Sequence, residues 1–146
     1  MSVQTIPAGY HTVTPYLTIA GAAELIEFLK QAFQAREKER FMRPDGCIGH
    51  AEVIIGDSVI MLGEPKGGEC GPMPGALYLY VEDVDSMYQR ALNAGASSDL
   101  APTDQFWGDR TATVHDRFGN IWHLATRVEE VSHEELQRRL AALAGQ

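Results

Sequence analysis

The chain has 146 residues, the usual size of one compact domain, and 45% of them are hydrophobic and 22% charged. This is the composition of an ordinary globular protein, so it argues against global disorder. Twelve Lys and Arg against 20 Asp and Glu give a formal charge of −8, which repels the phosphates of nucleic acids and anionic lipid surfaces. We therefore expect neither nucleic acid nor a membrane as a partner.

The N-terminal segment lacks the pattern of a secretory signal. No basic stretch followed by an apolar one occurs there, and no window of the chain approaches about 18 continuous apolar residues. We expect a cytoplasmic protein. The two cysteines, Cys47 and Cys70, belong to no CxxC pair or Cys/His cluster, and both are interpreted as reduced and without a metal.

The first half of the chain predicts one helix and four strands. In chain order these are a strand over 13–19, a helix over 22–33 and strands over 36–42, 50–55 and 58–62. The helix carries Leu25, Leu29 and Phe33 on one stripe, which indicates that one face is buried. Gly56-Asp57 predicts a tight hairpin between the last two strands.

The second half predicts a similar series and ends in an additional helix. Its elements are a strand over 77–81, a helix over 84–94, strands over 110–115 and 120–125, and a helix over 132–144. Asp83 is placed to cap the first of these helices and Gly95 to end it. Residues 132–135, Ser-His-Glu-Glu, form a capping box that opens the last helix, which we expect to pack on the outside or on a partner chain.

The two halves repeat each other at an offset of 62 residues. Leu17-Thr18-Ile19 with its following helix matches Leu79-Tyr80-Val81 with its helix, and the run 59–62 maps onto 121–124. The sequence thus predicts an α+β fold of two tandem βαβββ units in one domain. We expect unit one over about 10–63, a linker over 64–75, unit two over about 76–127, and the C-terminal helix after them.

Five segments resemble the vicinal oxygen chelate superfamily of glyoxalases, bleomycin-resistance proteins and extradiol dioxygenases. They are Thr14-Pro15-Tyr16-Leu17, Gly56-Asp57-Ser58-Val59, the run 80–85 (Tyr-Val-Glu-Asp-Val-Asp), the run 116–122 (Asp-Arg-Phe-Gly-Asn-Ile-Trp) and the run 104–110 (Asp-Gln-Phe-Trp-Gly-Asp-Arg). The last of these, with the opening 11–17, resembles the PhnB-like branch, also labelled 3-demethylubiquinone methyltransferase-like. The chain departs from the family pattern at Arg117, where the family often has Pro, and at Gln34, where it often has Gly to end the helix.

The resemblance implies that the sheets curve into a cup, with helices on the convex side and a ligand pocket on the concave side. It also implies metal-ligand positions, which fall on Thr14, Met61, Ala76 and His123. Only His123 suits a hard divalent ion, so we predict no metal or other cofactor. An alternative stays open, in which His50 and Glu52, two apart on one strand face, join His123 as a relocated ligand set.

Alternation along the strands assigns side chains to the two faces of the predicted cup. The more polar parity faces the pocket and the apolar parity faces the helices. The candidate site residues are Thr14, Tyr16, His50, Glu52, Met61, Tyr78, Trp107, Arg110 and His123. Trp107 would supply a flat apolar face and Arg110 a fork for a carboxylate or enolate oxygen. In the structural alternative, Arg110 pairs with Asp109 or a neighbouring strand, and Trp107 plugs the cup or a dimer seam.

Three hypotheses for function follow. The first is a metal-independent protein that binds a small planar or apolar, possibly anionic, organic ligand. The second is an enzyme of the lyase, isomerase or dioxygenase type that uses His123, the best catalytic candidate, or the His50/Glu52 pair as acid and base or as relocated metal ligands. The third is a closed domain that acts through protein contacts. A homodimer is expected because the fold exposes open sheet edges.

Overall fold

The computed structural model describes residues 2–66 and 71–145. Its elements are, in chain order, β1 (Tyr16–Thr18), α1 (Ala22–Phe33), β2 (Arg36–Met42), β3 (Ile48–Ile55), β4 (Ser58–Gly63), β5 (Ala76–Tyr80), α2 (Val84–Asn93), β6 (Ser97–Asp104), β7 (Asp109–His115), β8 (Ile121–Arg127) and α3 (His133–Ala144). In the described part of the chain, none of these helices has the length and apolar character needed to cross a membrane. Cys70 lies outside the described residues.

The eight strands of the described residues form two four-stranded mixed sheets of identical topology, in the orders β1-β4-β3-β2 and β5-β8-β7-β6. In each sheet the first strand is parallel to the fourth, and the other pairs are antiparallel. The prediction of an α+β fold with two tandem βαβββ units and a C-terminal helix is therefore confirmed. The chain divides into two compact units, Met1–Gly75 with Arg117–Gly119 and Ala76–Asp116 with Asn120–Gln146.

Helix α1 covers one face of the first sheet and packs on β3. Leu17 and Ile19 are buried and Tyr16 is exposed, as the alternation predicts. The helix is capped at Gln34, which adopts the left-handed conformation (φ 58°) that favours glycine. The backbone N–H of Gln34 donates to the Lys30 carbonyl at 3.2 Å, so the cap forms in spite of the side chain.

Helix α2 covers one face of the second sheet, on β6, β7 and β8. Trp122 and Leu124 are completely buried on that side. Asp83 caps the helix as predicted, accepting a hydrogen bond of 3.2 Å from the Ser86 N–H. Because side chains alternate along a strand, every second residue of these strands lies on the opposite face, which α2 does not cover.

Three sequence predictions need correction. The predicted strand over 13–19 is only Tyr16–Thr18, and Val13 is 80% exposed rather than directed at the helices. Pro15 has no N–H to donate, so pairing begins with its carbonyl, which accepts from the Met61 N–H. Strand β6 was not placed at all, because its sequence, SSDLAPTD, lacks apolar alternation.

The capping box of α3 is half formed. Ser132 accepts a hydrogen bond from the Glu135 N–H, but the Glu135 carboxylate pairs with Arg138 and Arg139 instead of turning back to the cap. These two arginines lower the pKa of Glu135 to about 2. None of the described residues of α3 is buried.

Candidate functional site

The face of the first sheet opposite α1, here called the first open face, carries Tyr16, His50, Glu52 and Met61. Register pairs Met61 with both Tyr16 on β1 and Glu52 on β3, which puts the three on one face. The rings of Tyr16 and His50 lie 5.7 Å apart. Thr14 is half-buried and precedes β1, outside the strand ladder.

Glu52 is the centre of a polar network on this face, although it is only 6% exposed. His50 Nε2 lies 2.8 Å from Glu52 Oε2, the Tyr10 hydroxyl donates to Oε1, and Lys38 lies 3.8 Å from the same carboxylate. Burial alone would raise the pKa of Glu52, but hydrogen bonds from Tyr10 and His50 and the nearby positive charge of Lys38 hold it below its usual value. The network therefore favours a charged carboxylate under a covering tyrosine.

The face of the second sheet opposite α2, here called the second open face, carries Tyr78, Tyr80, Asp109, Thr113 and His123. Register pairs Tyr78 with His123 and His123 with Thr113. The Tyr78 and His123 rings stack at 6.0 Å, and Thr113 Oγ1 lies 3.1 Å from His123 Nδ1. His123 is therefore held between a ring and a hydroxyl.

Three aromatic side chains converge on one carboxylate oxygen of the second open face. The Tyr78 hydroxyl, the Tyr80 hydroxyl and the Trp107 indole N–H donate to Asp109 Oδ2 at 2.8, 3.0 and 3.0 Å. Asp109 is 3% exposed, whereas the aromatic residues are exposed by 45%, 66% and 39% in the same order. A buried acid thus fixes the orientation of three rings that remain accessible.

The hydroxyl groups in this cluster are held in their protonated form. Burial, followed by the bond to Asp109, raises the pKa of Tyr78 to about 12. The bond to Asp109 is the largest cause that raises the pKa of Tyr80. Both phenols therefore act as hydrogen-bond donors across the ordinary pH range.

The turn between β6 and β7 places Trp107 and Asp109. Gly108 has φ +102°, and a Cβ there would lie 2.4 Å from the Glu129 carbonyl oxygen, so only glycine fits. Its own carbonyl accepts from the Val128 and Glu129 N–H groups. The Arg139 guanidinium of α3 donates to the Phe106 carbonyl and to Glu129, both at 2.9 Å, which fastens the turn from outside.

Arg110 lies on the other face of the second sheet. Its guanidinium donates to Asp85 of α2 at 3.2 Å and to Asp104 of β6 at 3.1 Å. Since neighbours on a strand point to opposite faces, Asp109 and Arg110 cannot serve one surface. A ligand contact by Arg110 would require these ion pairs to open, so this role stays a prediction.

The metal-ligand positions that the fold family implies do not offer a hard donor set. They fall on Thr14 and Met61 in the first unit and on Ala76 and His123 in the second, and only His123 has a suitable nitrogen. Within residues 2–66 and 71–145, no three His, Cys, Asp or Glu side chains come together in a group able to hold a metal ion.

Sequence reasoning placed Tyr78, Trp107 and His123 in the site and gave Tyr80 the same face as Tyr78, but it missed Asp109 and the hydrogen bonds that join Asp109 to these aromatic residues. Tyr80 has the parity of Tyr78, two residues earlier, and Asp109 that of Thr113, four residues later. The predicted strand began at Arg110; starting it one residue earlier would have assigned Asp109 to the second open face. Tyr10 and Lys38 were missed because no periodic pattern relates them to Glu52.

Comparison with known proteins identifies the family to which the chain belongs. The model of the Glyoxalase/Bleomycin resistance protein/Dioxygenase superfamily matches residues 10–124, and the chain belongs to this superfamily. The uncharacterized protein Mb0911c of Mycobacterium bovis is 37% identical over 152 residues, covering 97% of each chain. Rv0887c of Mycobacterium tuberculosis has the same identity, over 97% of this chain and 87% of that protein.

Solved structures share the fold at lower identity. PA1353 from Pseudomonas aeruginosa matches with a TM-score of 0.68 and 20% identity, over 82% of this chain and 99% of that one. TioX from Micromonospora sp. ML1 gives 0.64 and 24%, over 80% and 99%. The fosfomycin resistance protein FosX from Listeria monocytogenes gives 0.61 and 16%, over 86% and 97%. At these identities the likeness concerns the fold alone.

Proposed function

We propose that this member of the superfamily binds a small planar organic molecule on the second open face, without a metal ion. The observation that carries the proposal is the convergence of Tyr78, Tyr80 and Trp107 on Asp109 Oδ2. Exposed large aromatic side chains gathered on one surface are typical of a binding site rather than of ordinary protein surface.

The hydrogen bonds to Asp109 prepare this surface for a ligand. A free tyrosine or tryptophan loses side-chain entropy when a ligand fixes it, and this loss weakens binding. Here the polar end of each ring is already held, and Tyr78 also stacks on His123. Flat rings in fixed positions favour a flat, largely apolar partner.

Metal independence is supported by the chemistry of the residues at the implied ligand positions. The Thr14 hydroxyl is a weak neutral ligand, Met61 sulfur suits soft metals, and Ala76 has no side-chain donor. His123 alone cannot replace the three protein ligands that a catalytic zinc site uses.

A neutral planar fluorophore, N-phenyl-1-naphthylamine, tests the proposal by fluorescence titration of the full chain. We expect Trp107→Ala and Tyr78→Ala each to weaken binding by about 1–3 kcal/mol, the value of one lost aromatic contact. Tyr88→Ala is the matched control, because Tyr88 lies on α2 and its hydroxyl donates to Ser98. Unchanged binding in both site variants, with intact melting curves, would place the site elsewhere and favour a domain that acts through protein contacts.

A second candidate function is proton transfer by His50 and Glu52. It is supported by their 2.8 Å contact and by the burial of Glu52, since a carboxylate that orients an imidazole is a common arrangement for a general base. Deuterium exchange of the α-protons of dihydroxyacetone, followed by NMR, tests it. Catalysed exchange that His50→Gln abolishes and His115→Gln preserves would support an enzyme; exchange at the buffer rate would argue against this proton transfer.

His123 offers the other acid or base for such an enzyme. If a turnover is found, we expect His123→Ala to lower kcat far more than it raises KM, because a proton-transfer group acts mainly in the transition state. If His123→Ala instead raises KM and leaves kcat unchanged, His123 acts in binding alone.

Three finer assignments remain proposals. Within the superfamily, the blocks 11–17 and 104–110 support the PhnB-like branch. Leu140 and Leu143 of α3 are exposed and give apolar area for a homodimer; sedimentation at micromolar concentration should show a dimer, and a monomer would contradict it. A cytoplasmic location is the third.

A further inference from the structure

We infer that the ligand of the second open face is an organic cation, bound by the Asp109 carboxylate together with the rings of Tyr78, Tyr80 and Trp107. This inference rests on the proposed function, because it names the ligand class of the same site. It differs from the sequence-based expectation, in which the planar or apolar ligand is possibly anionic and contacts Arg110.

Asp109 provides a negative charge, and one of its two carboxylate oxygens accepts no hydrogen bond from the described residues. All three aromatic donors bind Oδ2, and no described residue donates a hydrogen bond to Oδ1. Neutral donors do not cancel the charge of a carboxylate, which has about four acceptor positions over its two oxygens. A cation with an N–H group could donate to Oδ1 and form a charge-assisted bond, the stronger kind.

The rings around Asp109 fit the same ligand class. The Tyr78 and Tyr80 centroids are 5.3 Å apart with planes tilted by 54°, so one cation can lie within about 6 Å of both. Trp107, whose indole binds the same oxygen, offers the aromatic ring that attracts cations best. The carboxylate and the faces of the rings both attract a positively charged ligand. The formal charge of −8 on the whole chain strengthens this attraction.

Two arginines, Arg110 and Arg127, could in principle attract an anionic ligand in place of the cation. Arg110 lies on the opposite face and pairs with Asp85 and Asp104. Arg127 is in register with Asp109, and its guanidinium forms no side-chain hydrogen bond or ion pair with any described residue, although its charge acts on Tyr80. Arg127 is therefore the positive charge on the Asp109 side of this strand pair that could favour an anion, and the experiment must separate its effect from that of Asp109.

Benzamidinium, benzamide and benzoate test the charge at constant shape. All three are planar and nearly equal in size, and at neutral pH they are a cation, a neutral molecule and an anion. We would titrate each into the full chain and follow backbone amide and tryptophan indole signals by NMR. We expect benzamidinium to bind about tenfold more tightly than benzamide, from one charged hydrogen bond with cation–π attraction, and benzoate to bind most weakly.

Three single-residue variants test whether the carboxylate of Asp109 is the group that binds the cation. Asp109→Asn keeps an acceptor for the aromatic donors and should reduce benzamidinium binding to the level of benzamide. Asp99→Asn is the control, since it makes the same charge change in an exposed carboxylate that pairs with His115. Arg127→Gln should strengthen benzamidinium binding, because it removes a like charge.

The outcomes separate this inference from the proposed function. Equal affinity for benzamidinium and benzamide overturns the cation and leaves a planar-ligand site in place. Tightest binding of benzoate, lost in Arg127→Gln, overturns the cation in favour of an anion. Binding of none of the three overturns the inference and the proposed function together. The comparison of the three compounds on the unmodified chain and on Arg127→Gln decides these cases even if Asp109→Asn does not fold.

Discussion

The hydroxyl of Tyr78 and the carboxylate of Asp109 meet at 2.8 Å although their strands, β5 and β7, are not neighbours. Strand β8 lies between them, and Tyr80, Ala125 and Thr111 form one register row across the three strands. Ala125 is small and buried, so the tyrosine side chains can pass over β8 to reach Asp109. The site therefore depends on a short side chain in the middle strand as much as on the groups that meet above it.

The first prediction concerns the titration of Tyr78. Burial and the bond to Asp109 raise its pKa to about 12 from an ordinary value of 10.0. Asp109→Asn removes the charged acceptor but not the burial, so we expect the pKa to fall part of the way towards 10. Tyrosinate absorbance measures it, with Tyr78→Phe to identify the signal. An unchanged titration in Asp109→Asn would contradict the assignment.

The same shift has a consequence for stability. Because the folded-state pKa of Tyr78 is raised, its contribution to folding is fully present below about pH 10 and is lost as pH rises through about 12. Unfolding curves recorded across this window should show a smaller alkaline loss of stability for Tyr78→Phe than for the unmodified chain.

The second prediction concerns Arg139, which fastens the β6–β7 turn from α3. Arg139→Ala removes bonds to the Phe106 carbonyl and to Glu129, so the turn should open more often. We expect amide hydrogen exchange at Gln105 and Gly108 to increase by about 5–10-fold, because local opening of the turn becomes more frequent.

Arg138→Ala is the matched control for this prediction, because Arg138 pairs only with Glu135 among the described residues. Its exchange rates in the turn should stay at those of the unmodified chain. Equal acceleration in both variants would mean that any charge loss on α3 has this effect, and that Arg139 does not hold the turn.

The third prediction concerns the left-handed cap of α1. Gln34 has φ 58°, where a side chain costs about 1 kcal/mol and glycine does not. Gln34→Gly should therefore raise the free energy of unfolding by up to about 1 kcal/mol, less the extra entropy that glycine gives the unfolded chain. Gln31→Gly, inside the same helix, should lower it by about 1 kcal/mol. A loss of stability in both variants, by urea unfolding, would contradict the cap argument.

Much of the fold follows from local patterns in the sequence. The apolar stripe of α1 and the cap at Asp83 predicted those helices because each signal lies within one or two turns of the chain. The parity of Trp122 and Leu124 likewise predicted which face of β8 is buried. These features need no knowledge of distant residues.

The candidate site was only partly predictable, because its bonds join distant parts of the chain. Asp109 and Tyr78 are 31 residues apart, and Tyr10 and Glu52 are 42 apart. Alternation predicted that Glu52 leaves the helix side, but not that Tyr10 would cover it and bury it. A local sequence pattern does not predict which distant donor will form a hydrogen bond with a given carboxylate.

The fourth prediction concerns acid stability and Glu52. Its folded-state pKa is lowered, so its contribution to stability is present above the ordinary glutamate pKa of about 4.3 and is lost as pH falls through the folded value. Glu52→Gln should be less stable than the unmodified chain at pH 7, and the difference should shrink on acidification below about pH 4. Urea unfolding at both pH values measures this.

Glu82→Gln, which changes an exposed glutamate before α2, is the control for the acid experiment. It should differ little from the unmodified chain at either pH. A stability difference for Glu52→Gln that stays constant from pH 7 to the acid range would show that the charge of Glu52 is not what stabilises the network.

The fifth prediction concerns the buried Asp116, which closes the β7–β8 turn. Its carboxylate accepts from the Asn120 N–H at 3.0 Å, from Asn120 Nδ2 at 2.9 Å and from the Trp122 indole at 2.8 Å. All three residues are nearly or completely buried, so water cannot easily replace a missing acceptor. Asp116→Ala leaves these donors without the carboxylate they share, and we expect a loss of about 3 kcal/mol in the free energy of unfolding.

The equivalent turn of the first unit provides the control. Asp57 is exposed there and accepts only from the Ser58 hydroxyl among the described residues, so Asp57→Ala should cost less than about 1 kcal/mol. Urea unfolding followed by circular dichroism compares the two variants. A similar small cost for both would mean that the buried bonds of Asp116 contribute little, and that packing of Trp122 alone stabilises this end of the second sheet.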